Sequence, residues 1–429
     1  MFAACLITAC ALAAGGTPMP ELQQLTRAPY GHDLDNNDNF TPDGRYAIYD
    51  TRETHGPGIE ENNRIELLDL ETGKVSVLYD VGEYRTGVGA APGAGAASLS
   101  PDGKEAAFIH GPMLDQVDAR GPYAKTNRNG AMVRLDEPGV VHWLDYRDVA
   151  TDRDTTPGAH RGGTHRHEYS RDGQRIGFTY DDQLDRSRGR TIGYMEPNPK
   201  APHGVSHYFA VLVRPVPEAD AQPGDLISAL GDSWVDAAGT MRAFIGTIVE
   251  ESGCTQQSLF VVDVPKSVDI TTADSGGPDH YPAPPEGLTI RRLTNEWADG
   301  IVRGSYDGQR IAYYGKDGRG VRQLCIINAD GTGQRMVTAL EEDATEGLRW
   351  HPGDDALLAI SGGDVFAVSL RDENFGATRF LTEGGDFHKL VVSPKGDFTL
   401  FIGPDPDTSR LNYAGLPYQQ IFRVDYLAP

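Results

Sequence analysis

One turn recurs along this chain, and it limits the fold more than any other feature. It appears in "NFTPDGRYAIYD" from Asn39, "ASLSPDGKEAAFIHG" from Ala97 and "HEYSRDGQRIGFTYDD" from His167. It returns in "RGSYDGQRIAYYGKDG" from Arg303, "RWHPGDDALLAISGGD" from Arg349 and "LVVSPKGDFTLFIG" from Leu390. A degenerate copy, "WVDAAGTMRAFIG", starts at Trp234, which makes seven. Each copy joins a short strand to a tight turn with Gly, which takes φ > 0 without steric cost. A second apolar strand follows. Several copies lead on to a third strand and a further turn, as in "QLCIINADGTGQRMVTAL". The unit is therefore four antiparallel strands. The last three copies are spaced by ~45 residues, a propeller-blade period. Longer early spacings are what loop insertions produce. The repeat predicts an all-β, seven-bladed β-propeller of four-stranded antiparallel blades.

The two ends predict how the ring closes. An outer strand ends in Leu-Thr at Leu293–Thr294 and again at Leu381–Thr382. "ELQQLTRAP" from Glu21 carries the same ending ahead of any first blade. The last blade, from Lys389, has three strands and stops at "QQIFRVDYLAP". Glu21–Thr26 is therefore expected beside Phe422 as the missing outer strand, which would remove an exposed edge. Residues 21–429 then make one propeller domain behind a leader over residues 1–20. That leader, "MFAACLITACALAAGG", is apolar, small-residue rich and uncharged, like a secretory h-region cleaved after a small residue such as Ala13. "ITAC", ending at Cys10, also matches a weak lipoprotein signal. A periplasmic or secreted bacterial protein is expected, soluble or lipid-anchored through Cys10. No later stretch approaches the ~20 apolar residues of a membrane span.

Charge and cysteines narrow the function classes. The net charge is -23, the opposite of the basic footprint that nucleic acid requires. An anionic ligand would need a local basic patch to overcome this field. Cys254 lies in a polar loop and Cys325 in an apolar run, so they make neither a metal motif nor a disulfide framework. No G-x-S-x-G elbow and no Walker loop occurs, and no organic cofactor is expected. "DLDNNDNFTPDG" from Asp33 alternates oxygen ligands without EF-hand spacing. It is either a polar approach to blade one or a calcium site. No Asp/Glu pair stands out for glycoside hydrolysis.

Strand alternation gives a candidate site. With the first residue of each turn as zero, the positions five and three residues earlier share one side of the innermost strand. His165, His167 and Tyr169 of blade three are then on the channel side, and Arg166 and Glu168 on the other. His388 of blade seven is level with His165, and Asn36, Asp38 and Glu346 complete a polar cluster at one mouth. Second strands return to this mouth with Asp50, Arg52, His110, Asp181, Asp182 and Lys316. Its long loops, such as "HGPMLDQVDARGPYAKTNRNG", are where function usually sits. The mouth at the Gly turns should be blander.

The repeat copies resemble TolB-type propeller repeats over most of the chain. The order of "FIHGP", "RGGTHRHEYSRDGQRIGFTYDD", "SHYFAVLV" and "PAPPEGLTIRRLT" is similar to a bacterial family of TolB-like propellers with no assigned function. That resemblance implies a fold, not a reaction. "THRH" at Thr164–His167 resembles an element of oligogalacturonate lyases, which are also seven-bladed propellers. There a His-x-His holds a divalent metal, typically manganese, with another His and a Gln. The resemblance implies metal ligation by His165 and His167, with His388 a third ligand by geometry. The position of the family's Gln is Gly162 here. Without metal, the two histidines would hydrogen-bond around channel water.

The implied chemistry is metal-assisted β-elimination on uronic-acid-containing oligosaccharides. A cation neutralises the sugar carboxylate and a base of tuned pKa takes the proton. Arg161 is the candidate carboxylate clamp, and His110 or Tyr169 the group that exchanges the proton. Asn36, Asp38, Arg52, Asp181, Lys316 and Glu346 are candidate substrate contacts. The expected partner is an anionic oligosaccharide or cell-envelope glycan. The other reading is a noncatalytic scaffold that binds a protein or glycan on a loop face.

Overall fold

The computed structural model describes residues 19–36, 38–54 and 58–429. The leader, with Ala13 and Cys10, lies outside the described residues. Seven antiparallel sheets follow one another around a ring. Blade three shows the pattern, with Gly162–Tyr169 innermost, then Ile176–Asp182, Thr191–Pro197 and His207–Val211 outermost. Blade one keeps three regular strands, Tyr46–Asp50, Arg64–Asp69 and Val75–Asp80. Among the described residues, its innermost segment pairs through the bridges Asp33↔Asp50 and Phe40↔Ala47. Asp35 meets Arg52 at 3.1 Å and Lys389 of blade seven at 2.5 Å.

The ring closes as the sequence predicts. Gln23 pairs with Arg423 and Gln24 with Phe422, so an N-terminal strand completes the last blade. Thr26 reinforces the joint, its Oγ1 accepting from the Ile421 amide at 2.8 Å. Leu34, Tyr49, Leu400, Ile402 and Ile421 pack between blades one and seven. Similar apolar clusters fill the other blade interfaces, so the core is distributed around the ring.

The repeated turn is local chemistry. Ser100, Ser170 and Ser305 donate to Asp102, Asp172 and Asp307 at 2.7, 2.7 and 2.5 Å. The same hydroxyls accept the amides of Glu105, Arg175 and Arg310 at 3.0, 3.0 and 2.9 Å. Gly103, Gly173 and Gly308 close these turns at φ 69, 72 and 73°. In blade six Asp354 takes that left-handed position at φ 56°. Its carboxylate accepts the Tyr306 and Asp307 amides at 2.7 and 2.8 Å, tying blade six to blade five.

The innermost strands break simple alternation. In blade three Glu168 pairs with Gly177 but His165 with Thr179, so the inner strand carries one extra residue. Arg166 sits at this bulge with φ 57°. Ala96, Gly347 and Lys389 occupy the same place in blades two, six and seven, at φ 54, 74 and 54°. Gly231 and Gly300 do so one residue earlier in blades four and five. A bulge re-aims every side chain on one side of it. His167, Val302, Leu348 and Leu390 therefore turn into the blade interfaces, all 2% exposed or less. Arg166, Glu168, Arg303 and Arg349 face the channel instead. The alternation argument had His167 and Arg166 the wrong way round, because it allowed no extra residue. Tyr169 packs with Ile176 and Phe178 and keeps an edge on the channel.

Candidate functional site

The bulges deliver arginines to the axis. One chamber of about 160 Å³ opens at the predicted mouth, lined by Asp35, Arg166, Tyr314 and Lys389 together with Arg303 and Arg349. A second, of about 80 Å³, lies toward the Gly turns and is lined by Asp38, Glu168, Arg171 and Tyr306 with the same Arg303 and Arg349. The turn-side end is thus charged, not bland, because Arg171 and Tyr306 reach it from the second position of their turns.

The channel arginines are poorly satisfied. Arg303 is 4% exposed, and its Nη1 donates to the Val302 carbonyl at 3.3 Å. Its Nε and Nη2 have no partner among the described residues. Arg349 donates from Nη1 to the Leu348 carbonyl at 2.9 Å and from Nη2 to the Asn36 carbonyl at 3.0 Å, leaving Nε without one. Arg166 Nε is also buried without a partner. The nearby Glu168 is engaged elsewhere, by Arg242 at 3.0 Å and Ser233 at 2.6 Å. Burial, with Arg349 and Arg166 close by, holds Arg303 well below its ordinary range. Burial and Arg166 push Arg349 down to about 10. Burial and then Glu168 push the Asp38 carboxyl up to about 7. Crowded guanidinium groups beside a carboxyl poised near neutrality are suited to take up an anion and to move a proton.

The predicted residues have more varied places. Arg161 is buried, with Nε on Asp182 at 2.8 Å and Nη1 on the carbonyls of Gly277 and of His280, the latter at 2.7 Å. It pins the long insertion of blade four to blade three and is not open as a clamp. His110 is enclosed, 2.9 Å from the Tyr79 hydroxyl and 2.6 Å from the Gly111 carbonyl, and burial lowers it to about 4. The Tyr169 hydroxyl is buried without a partner, and burial holds it well above its ordinary value. Asn36 donates to the Ala96 and His167 carbonyls at 3.1 and 3.0 Å, bracing blades two and three. Arg52 is buried among Asp50, Asp35 and Asp33 at 2.7, 3.1 and 3.6 Å. Asp181 pairs with Arg190 at 2.7 Å, and Lys316 lies over the Trp297 ring at 4.2 Å. Of the predicted substrate contacts, Asp38 and Glu346 do line the channel chambers.

The three proposed metal ligands do not converge. His165 is half-buried near the mouth, 3.4 Å from Thr179 Oγ1, and burial with Arg128 holds it well below its usual range. His167 lies inside the blade interface, its Nε2 3.1 Å from Thr164 Oγ1. The Gly130 backbone closes over that nitrogen, where an added Cβ would lie 2.7 Å from it. His388 pairs with Glu346 at 2.9 Å and Asp386 at 3.2 Å, and the Glu346 hydrogen bond raises its pKa. Among the described residues, no group of three or more His, Cys, Asp or Glu could hold a metal ion. These residues do not fit the divalent metal that the lyase resemblance implies. Arg303 and Arg349 were missed, although "RGSYDG" and "RWHPGD" both carry Arg two residues before the turn.

Comparison with known proteins identifies a family. The chain is 30% identical over 413 residues to "Uncharacterized protein YidR" of Escherichia coli (strain K12), covering 90% of this chain and 93% of that one. The chain belongs to the YidR family. A family profile described as "Protein of unknown function (DUF3748)" matches residues 93–200, blade two and most of blade three. Among solved structures, an oligogalacturonate lyase in complex with manganese aligns with a TM-score of 0.54 at 13% identity, over 95% of this chain and 93% of that chain. The β-propeller domain of Myceliophteria thermophila Cps50 (Swd1) aligns with a TM-score of 0.50 at 9% identity, over 94% and 99%. Likeness at this level shows the propeller fold alone.

Proposed function

We propose that this YidR-family propeller binds the carboxylate of a uronic-acid-containing oligosaccharide in its central channel, where Arg303 and Arg349 border both chambers, and cleaves it by β-elimination. The observation that carries the reading is the set of buried guanidinium nitrogens without partners on Arg166, Arg303 and Arg349. These groups would neutralise the sugar carboxylate and make the adjacent C–H more acidic. Asp38, with its carboxyl near 7, is the base in this reading. It takes the proton from the carbon beside the carboxylate, the C=C bond forms as the neighbouring C–O glycosidic bond breaks, and the departing sugar oxygen takes a proton from water; no step runs through a metal. The protein would work after export, as its apolar leader suggests.

A second reading is a noncatalytic glycan-binding propeller. The chamber sizes favour it: about 160 and 80 Å³ are below the ~300–1,000 Å³ of ordinary ligand sites. They suit an anionic group or a chain end, not a stretch of polymer. The two readings separate on incubation with oligogalacturonate while ultraviolet absorbance of an unsaturated product is followed. Elimination predicts product from the wild type and none from Asp38→Asn, which still binds. Binding without product in the wild type would leave only the second reading.

A further inference from the structure

Blades two and three enclose another pocket, away from the channel, of about 340 Å³. That lies within the ~300–1,000 Å³ range of small-molecule sites. Arg120, Arg147, Trp143, Tyr146 and His203 are in its walls. The arginines are held only by neutral acceptors. Arg120 donates from Nε to Asn127 Oδ1 at 2.7 Å and from Nη2 to Asn129 Oδ1 at 2.5 Å. Arg147 donates from Nε to the Gly162 carbonyl at 2.8 Å and from Nη2 to the Thr126 carbonyl at 3.0 Å.

The one carboxylate in the wall is already engaged. Asp145 accepts from Thr164 Oγ1 at 2.7 Å, Asn129 Nδ2 at 2.9 Å and the Gly130 amide at 3.1 Å, with His160 Nε2 at 3.4 Å. Burial and the neighbouring Arg147 push Arg120 down to about 10. Asp145 offsets part of the charge on Arg120 without bonding to it. Two guanidinium groups kept side by side repel each other, and an oxyanion between them relieves that repulsion through paired N–H donors. Tyr146, 41% exposed, and Trp143 add flat amphipathic walls. Arg120, Trp143, Tyr146 and Arg147 all fall within residues 93–200, the stretch by which the family is recognised.

We propose that this pocket is a second ligand site, taking a small ring compound with a carboxylate or phosphate. Its oxyanion is held by Arg120 and Arg147 and its ring by Trp143 and Tyr146. The test is calorimetric titration with glucuronate, glucose 6-phosphate and glucose. The channel variant Arg303→Gln, which removes the channel site that the proposed function rests on, should keep one site for an acidic probe at its wild-type affinity, and bind glucose there at least ten-fold more weakly. The better acidic probe identifies the oxyanion. Arg147→Gln should weaken binding at least ten-fold, and so should Tyr146→Ala, a surface change whose melting curve should match wild type. The proposal is overturned if neither acid binds, if glucose binds equally well, or if a folded Tyr146→Ala and Arg147→Gln both bind like wild type.

Discussion

Arg303 shows how one residue can be costly to the fold and useful to the site. Its buried, partly unpartnered guanidinium sits among like charges, so an apolar side chain of similar length should be better tolerated there. Arg303→Met is expected to raise unfolding free energy by about 1–3 kcal/mol while abolishing carboxylate binding in the channel. Denaturant titration beside ligand titration checks both halves. Asp38 makes a pH prediction. Its folded pKa, about 7, lies above the ordinary 3.8, so the folded state binds the extra proton. This group's contribution therefore falls as pH rises from about 4 to about 7 and is fully present only below that window. Asp38→Asn should flatten that part of the stability–pH profile, and an unchanged slope would show that Asp38 does not titrate there. The sequence showed His165, His167 and Arg161 as polar residues near a mouth. It could not show that Arg161 is used up holding Gly277 and His280, because that insertion is more than a hundred residues away.

At the scale of strands, the repeated turn was legible because its chemistry is local: a hydroxyl, an Asp two residues on and a Gly at positive φ. The bulges were not. Ala96, Arg166 and Lys389 take left-handed backbone without the Gly that announces it, and one extra residue exchanges the two faces of the strand. Their strain is about 1–2 kcal/mol per residue. Ala96→Gly should therefore stabilise the protein, by up to about 1 kcal/mol once the freer unfolded chain is counted. A lower melting temperature for Ala96→Gly would argue against strain at that bulge. The closing strand makes a separate prediction. Deleting residues through Thr26 exposes the Gln419–Asp425 edge, so the truncated protein should melt lower and self-associate, as light scattering would detect.

For the whole molecule, seven turn copies implied seven blades, and the Leu-Thr ending placed the N-terminal strand beside Phe422. Electrostatics was legible only in total. A net charge of -23 gives no hint that the axis is lined by Arg166, Arg303 and Arg349, since that juxtaposition joins three blades. The central claim is that these arginines hold a carboxylate inside an acidic protein. Its most direct test is calorimetric titration of wild type and Arg166→Gln with oligogalacturonate and with its neutral methyl ester. Wild type should bind the acid at least ten-fold more tightly than the ester, and Arg166→Gln should lose that preference. Equal affinity for acid and ester, or an Arg166→Gln variant that binds like wild type, would contradict it.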